Sequence, residues 1–201
     1  MHIVVGLGNP GEEYKDTRHN AGRIAAAAFV KKNDFPDFVQ SAKYASLLSQ
    51  GEVDSELSKT GTEKVTVLLP ETFMNKSGKS VSDLVNSSKK AEKLIVIQDD
   101  LDMPIGAMKI VFNRGSGGHK GIESIKRAIK TEAFVRVKIG ICPTTPTGKP
   151  KKPTGEKLMD FIVGEFKPAE LDEIKKVAKR AADAVAMIIS EGRERAANTF
   201  N

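Results

Sequence analysis

An unbroken apolar run, LIVI at residues 94–97, limits the class of fold open to this chain. A strand that is apolar on both sides is typical of a sheet with helices on both faces, because each side must be covered. The β-branched run at residues 2–6 predicts a second buried strand of the same kind. Shorter apolar or alternating segments predict further strands over residues 42–50, 64–69, 106–112 and 134–142.

Helical segments alternate with these strands along the whole chain. This order, without a repeat or a linker, predicts one domain over residues 1–201: an α/β, single-domain three-layer sandwich with a mixed twisted sheet and helices on both faces. Residues 143–155, rich in Pro, Thr and Lys, predict a flexible surface loop. Asn20 is the expected N-cap of the first helix. Apolar residues at helical spacing predict helices over residues 21–32, 77–85, 122–130, 156–162 and 169–189.

The composition excludes several classes of protein. The 201 residues are 39% apolar and 29% charged, as in globular domains, and no run is long enough to span a membrane. The chain enters its first predicted strand at once, with no room for a signal peptide, and the single Cys142 excludes an internal disulfide framework. We therefore expect a reducing compartment: the cytoplasm, or the mitochondrion if the host is a eukaryote. The net charge of +6 suits a partner such as nucleic acid, although ordinary solvation explains it equally well.

A glycine-rich turn, GLGNPG at residues 6–11, follows the first strand and matches the dinucleotide-binding pattern G-x-G-x-x-G. That pattern needs a helix to begin within the glycines, so that backbone N–H groups face a pyrophosphate. Here Pro10 removes one N–H and disfavours helical dihedrals at Asn9. The sequence therefore favours a tight turn that presents the Asn9 amide, and disfavours a nucleotide-binding oxidoreductase.

Histidine is the expected general base, because its ordinary pKa lies near neutral pH. Among His2, His19 and His119, only His19 lies between the glycine-rich turn and the first helix. Asp99 follows the central strand, where ligands of α/β proteins usually bind, and a carboxylate there can orient an imidazole. The alternatives are a bystander histidine, and a helix cap or a surface pair for the aspartate. No serine or cysteine has a nucleophile setting, so we expect a water deprotonated by His19, with Asn9 near the carbonyl.

Five runs, taken together and in this order, resemble bacterial-type peptidyl-tRNA hydrolase. The resemblance extends from the first strand through the strand that ends near Cys142. It implies an esterase that cleaves peptidyl-tRNA into peptide and tRNA, without a cofactor or a metal, and acts as a monomer. The runs are GLGNPG at 6–11, Tyr14 with TRHNAG at 17–22, FMNKSG at 73–78, DDLD at 99–102 and GGHKG at 117–121.

The resemblance also implies roles for individual residues. His19 activates water, Asp99 supports it, and Asn9 helps to place the ester. The pocket for the peptide and the terminal adenosine is implied at Tyr14, Phe73, Met74 and Asn75, with ordinary core packing as the alternative for Phe73 and Met74. A basic surface facing the tRNA is implied at Lys109, Arg136 and Lys138, although isolated basic residues are often only solvated.

One residue departs from the family pattern. Lys120 stands where the family usually has asparagine, and it offers only donors and a charge. It could bind a phosphate of the substrate or act on the pKa of His19. It also leaves open an alternative function: an RNA-binding protein on the same scaffold that has lost hydrolysis, resembling the plant organelle splicing factors of this family. Retention of Asn9, His19, Asn75 and Asp99 argues against that alternative, because binding alone does not require a base and its carboxylate.

Overall fold

The computed structural model describes residues 1–145, 150–155 and 157–201. Its strands form one seven-stranded sheet in the order β2-β3-β4-β1-β5-β7-β6. The pairs that β1 forms with β4 and β5, and the pair β5–β7, are parallel, whereas β2–β3, β3–β4 and β6–β7 are antiparallel. The mixed sheet is confirmed. The strands are β1 His2–Gly6, β2 Val39–Ser41, β3 Ser46–Asp54, β4 Thr62–Pro70, β5 Leu94–Pro104, β6 Met108–Phe112 and β7 Val135–Cys142.

Six α-helices and three 3₁₀ segments connect the strands in the described parts of the chain. The helix predicted over 21–32 has these bounds in the structure, while a short helix and the C-terminal helix were not predicted. The helices are α1 Ala21–Lys32, α2 Ser88–Ala91, α3 Lys120–Ile129, α4 Lys157–Val163, α5 Pro168–Ser190 and α6 Arg193–Phe200, and the 3₁₀ segments are Glu12–Tyr14, Arg18–Asn20 and Met74–Ser80.

Two apolar clusters, one on each face of the sheet, confirm the three layers. One face is covered by α1 and α5, whose buried residues form the larger cluster with side chains of the strands. The other face is covered by α2, α3 and the 3₁₀ segment Met74–Ser80. Of the helices that the structure describes, none is long and apolar enough to cross a membrane.

The helix predicted over 77–85 is wrong. A 3₁₀ segment occupies 74–80 and turns follow it, although Val81 and Val85 are buried as expected. The reason is a close backbone contact: a Cβ on Gly78 would lie 2.3 Å from the carbonyl oxygen of Ser124 in α3. The Gly78 N–H donates to Ser124 Oγ at 3.0 Å, so polar contacts with α3 replace an apolar helical stripe.

The predicted loop over 143–155 lies partly outside the described residues, and so does the first residue of the helix predicted over 156–162. In the described part, Thr144 and Pro150 form an isolated β-bridge. Lys152 Nζ lies 2.6 Å from Asp102 Oδ1, so the segment contacts the end of β5. The flexibility of this loop stays a prediction.

Candidate active site

The candidate site lies where β5 extends beyond the end of β1. Gly6 pairs with Ile97, so Asp99 projects past β1, and β5 continues to Pro104 because β7 pairs with it. The sequence analysis placed Asp99 after the strand, and this is corrected: it lies within β5. The start of α1 packs closely here, since a Cβ on Gly22 would lie 2.3 Å from the Ile97 carbonyl oxygen. This contact brings the residues just before α1 against the end of β5.

One carboxylate oxygen joins two histidines. His19 Nδ1 and His119 Nε2 each lie 2.9 Å from Asp99 Oδ1, and the two ring centroids are 5.2 Å apart. Asp99 is buried, which disfavours its charged form, but the two imidazoles outweigh this and hold the pKa of Asp99 well below its ordinary value. The carboxylate is therefore ionised at neutral pH and accepts a hydrogen bond from each ring.

The second histidine, His119, is a residue of the candidate site that the sequence did not predict. It is the N-cap of α3, and its Nδ1 accepts from the N–H groups of Gly121 at 3.1 Å and Ile122 at 3.4 Å. Since Nδ1 is an acceptor, the proton of the neutral ring is on Nε2 and is donated to Asp99. Its place in the run GGHKG, just before a predicted helix, was a signal for the cap, but the long-range contact with Asp99 had none.

His19 has the opposite arrangement. Its Nδ1 donates to Asp99, so Nε2 of the neutral ring carries no proton. No residue in the described ranges forms a hydrogen bond with that nitrogen. His19 lines a cavity of about 300 Å³, so a base is available at the wall of a ligand-sized space.

A metal fits these residues poorly. His19, Asp99 and His119 offer ligand atoms within 4.8 Å of one another, and they form the one such group among the residues described. A metal on His119 Nε2 would require the proton on Nδ1, where two backbone N–H groups already point. The same donors that set the tautomer of His119 thus oppose metal binding.

Asn9 is held next to the His19 segment, through Asn20, with a defined amide orientation. Its Oδ1 accepts from the N–H of Met74 at 3.0 Å, so its Nδ2 group remains as a donor. The backbone of Asn9 is bonded on both sides by Asn20, whose Oδ1 accepts at 2.7 Å and whose Nδ2 donates at 3.0 Å. Asn20 occupies the N-cap position of α1 as predicted, but its side chain forms no cap hydrogen bond and instead fixes the glycine-rich turn.

The residues expected to bind the peptide differ in exposure. Tyr14 is half-buried, and its carbonyl accepts from the Thr17 hydroxyl. Phe73 is 59% exposed, so core packing is the wrong explanation for it, whereas Met74 is buried in the core cluster under α3. Asn75 is exposed. Phe73 and Asn75 are thus accessible to a ligand, and the structure gives Met74 a structural contact through its N–H.

Of the residues expected to form a basic surface, Arg136 is buried and Lys109 is exposed. Arg136 is 2% exposed and donates to the carbonyls of Arg114 at 3.1 Å and Gly115 at 3.0 Å, and to Gln98 at 3.4 Å. Burial lowers the pKa of Arg136 from its ordinary value, but an arginine stays charged at neutral pH. The prediction of Arg136 as an RNA contact is therefore corrected, because its guanidinium supports the loop that leads to His119. Lys109 is exposed on β6.

The cavity has a polar and an apolar side. Its polar side carries His19, Asp99 and three lysines, of which Lys138 pairs with Asp100 and Lys152 with Asp102, whereas Asn9 is not among the residues that line it. Lys120 Nζ contacts only Met159 Sδ, at 3.8 Å, and no carboxylate among the described residues pairs with it. The apolar side of the cavity is formed by Leu101 from β5 and by Leu158, Met159 and Ile162 from α4.

Comparisons with known proteins agree with this geometry. A sequence profile of the family described as peptidyl-tRNA hydrolase matches residues 3–201. Peptidyl-tRNA hydrolases from Dehalococcoides mccartyi and a Thermoanaerobacter species are 36% and 39% identical, covering 100% of this chain and of each relative. A crystal structure of peptidyl-tRNA hydrolase from Acinetobacter baumannii has a TM-score of 0.84 at 29% identity, covering 100% of this chain and 94% of that one.

The fold and the site define a three-layer α/β protein with a buried carboxylate between two imidazoles at the carboxyl edge of its sheet. The full-length matches identify which proteins of this kind it resembles. The chain belongs to the peptidyl-tRNA hydrolase family, and it is an enzyme of that family.

Proposed function

We propose that this protein hydrolyses the ester bond between the peptide and the tRNA in peptidyl-tRNA, with His19 as the general base. The observation that carries the mechanism is that the His19 ring lines the cavity and uses Nδ1 for Asp99, while its Nε2 has no hydrogen-bond partner among the described residues. Membership of the family supports the substrate. We further expect a monomer that acts in the cytoplasm.

The reaction proceeds by attack of water on the ester carbonyl. His19 Nε2 takes a proton from the water while its oxygen bonds to the carbonyl carbon, and the ionised Asp99 stabilises the imidazolium that forms. Asn9 Nδ2 donates to the carbonyl oxygen as negative charge develops there, because its Oδ1 is occupied by the Met74 N–H. The imidazolium then returns its proton to the terminal ribose oxygen, and free tRNA and peptide leave.

The test compares a blocked aminoacyl-tRNA, such as N-acetyl-aminoacyl-tRNA, with the same tRNA carrying a free amino group. We expect the purified protein to release tRNA and the blocked amino acid from the first, and to act far more slowly on the second. Rapid cleavage of the unblocked form would contradict the substrate. His19→Ala should slow cleavage by roughly 10²–10⁴-fold while its binding of deacylated tRNA, measured by filter retention, stays near that of the wild type.

A second candidate is a protein that binds RNA without turnover, and the observation that favours it is Lys120. Its ammonium group is at the rim of the cavity without a carboxylate partner among the described residues, and the usual residue of the family at that position is uncharged. The same assay separates the two functions. Retention of tRNA by the wild type without any cleavage of the blocked form would establish the second candidate and remove the first.

A further inference from the structure

Arg18, the residue just before His19, is buried among groups that all belong to the segment after β7. Its Nη2 donates to Glu170 Oε2 at 2.7 Å, at the start of α5. Its Nη1 donates to the carbonyl of Glu165 at 2.7 Å, and lies 3.2 Å and 3.4 Å from the carbonyls of Gly164 and Phe161. A single guanidinium thus contacts three carbonyls in the last turn of α4 and just after its end.

Two aromatic rings complete the surroundings of this cation. The Arg18 guanidinium carbon lies 4.3 Å from the ring centre of Phe161 in α4 and 5.4 Å from that of Phe166. Cations at such distances are attracted to the ring faces, and planar guanidinium groups suit this geometry better than a lysine ammonium does. The Nε of Arg18 is buried without a hydrogen-bond partner among the described residues, so the donors at the tip of the side chain make the contacts.

The helix that Arg18 contacts buries little of its own surface. α4 spans seven residues, Lys157–Val163, and has no fully buried residue. Among the described elements it packs most against the 3₁₀ segment Arg18–Asn20. Helices in proteins are usually held in place by burial of an apolar face, and in α4 this contribution is small, because Phe161 is only partly buried against the larger core cluster.

Three residues of α4 also line the cavity. Leu158, Met159 and Ile162 form most of the apolar side of the cavity that His19 lines. The backbone links the same two segments as the guanidinium does: Arg18 N–H donates to Gly164 O at 3.0 Å, and Phe166 N–H donates to Asp16 O at 2.9 Å. The position of the apolar wall relative to His19 therefore depends on contacts made by the residue next to His19.

We propose that Arg18 is a positioning residue for the hydrolysis: its guanidinium holds α4 against the His19 segment and so fixes the apolar wall of the substrate cavity. The proposal rests on the function proposed above. Arg18 does not touch the cavity, so it acts through α4. Its loss removes binding contacts of the substrate while leaving the His19–Asp99 pair in place.

The kinetic test uses Arg18→Gln and Arg18→Lys with the blocked aminoacyl-tRNA. For Arg18→Gln we expect KM to rise about tenfold, kcat to change less than about threefold, and the pH dependence of kcat to stay unchanged, because uniform binding is lost. Arg18→Lys should give an intermediate KM. Lysine retains the charge beside Glu170, but its ammonium group cannot also reach the three carbonyls that the planar guanidinium contacts. A lower melting temperature with an unchanged KM would show a merely structural role and overturn the proposal.

A second measurement does not depend on activity. Amide hydrogen exchange over residues 157–164 of the free protein should be about tenfold faster in Arg18→Gln than in the wild type, because opening of this segment becomes easier. The matched control is Arg23→Gln. Arg23 makes similar contacts, to Pro70 O at 2.6 Å and Glu71 Oε1 at 2.8 Å, but none to α4. It should leave that exchange rate unchanged.

The two measurements separate the failure of this proposal from the failure of the proposed function. If the wild type does not cleave the blocked substrate, the proposed function fails, and hydrogen exchange still decides whether Arg18 holds α4. If the wild type is active but Arg18→Gln changes neither KM nor exchange over residues 157–164, the proposal is overturned. Glu170→Gln provides a milder variant should Arg18→Gln fail to fold, and it should raise KM in the same direction.

Discussion

His19 and His119 lie at the same 2.9 Å from the same oxygen of Asp99, yet they present different nitrogens to it. His19 uses Nδ1, its ring lines the cavity, and its Nε2 has no hydrogen-bond partner among the described residues. His119 uses Nε2 and directs Nδ1 to the backbone N–H groups at the start of α3. Equal distances to a carboxylate therefore do not give equal chemistry, because the second nitrogen of each ring decides what the ring can do.

The difference divides the work between the two rings. His19 can take a proton from water because its second nitrogen has no protein partner among the described residues. His119 can take none without opposing two N–H groups, so it holds Asp99 in position and caps a helix. The following variants test that division, in order of decreasing expected effect.

Removal of His19 has the largest expected effect. His19→Ala should lower kcat by roughly 10²–10⁴-fold, the usual contribution of a positioned general base, and leave tRNA binding nearly intact. The measurement is single-turnover cleavage of the blocked aminoacyl-tRNA. His2→Gln, at the far end of β1, is the control and should keep full activity. Wild-type turnover in His19→Ala would remove this residue from the mechanism.

Asp99→Asn should have the next largest effect. The base remains, but its tautomer and the stabilisation of its imidazolium are lost, so kcat should fall about 10²-fold. The pH dependence of kcat/KM should also change, because a charge next to His19 has been removed. The measurement is a pH–rate profile beside that of the wild type. An unchanged profile would show that the 2.9 Å contact with His19 has no part in catalysis.

The two roles of His119 can be separated by two substitutions. His119→Ala removes the contact with Asp99 and the helix cap, whereas His119→Asn removes the contact but supplies another good capping side chain. Both should lower kcat about tenfold, since a supporting hydrogen bond is lost. In urea unfolding, only the alanine variant should also lose about 1 kcal/mol of stability. If kcat fell as far as it does in His19→Ala, His119 would be as important for the reaction as His19, and its assignment as a supporting residue would be wrong.

The shared carboxylate also makes the stability of the fold depend on pH. The pKa of Asp99 is below its ordinary value in the folded protein, so its ionised form contributes stability that is present at neutral pH. That contribution should decline as the pH falls below about 4, the ordinary pKa of an aspartate in the unfolded chain. The difference in the free energy of unfolding between the wild type and Asp99→Asn, measured by urea unfolding, should therefore become smaller from pH 7 to pH 3. A difference that stays constant over this range would contradict the lowered pKa of Asp99.

The sequence predicts the features that depend on local contacts and not those that depend on contacts between distant parts of the chain. The helix over 21–32 and the central strand came from local spacing of apolar residues, and they are present as expected. Local spacing did not predict the 3₁₀ segment Met74–Ser80, because the geometry of this segment follows from the contact of Gly78 with α3. In the site, His19 and Asp99 were expected from their places next to a turn and a strand, and their pairing at 2.9 Å agrees with that expectation.

The unpredicted contacts of the site all join residues far apart in the chain. His119 and Asp99 are 20 residues apart, and Arg18 and Glu170 are 152 apart. No local pattern in the sequence indicates either of these contacts. Arg136 was misjudged for the same reason: a basic residue in a strand is expected to be solvated, and only the fold shows that loop carbonyls surround it.

The smallest expected effect concerns Lys120, the neighbour of His119. Lys138 and Lys152 also line the cavity, but each has a carboxylate partner, so Lys120 is the cation best able to bind a phosphate of the substrate. Lys120→Asn should raise KM about threefold at low salt and reduce the slope of log KM against log salt by about 1, with kcat unchanged. The measurement is KM at several salt concentrations. A change in kcat and in its pH dependence, with the same salt slope, would show instead that Lys120 acts on His19, and the two histidines would then differ in their surroundings as well as in their free nitrogens.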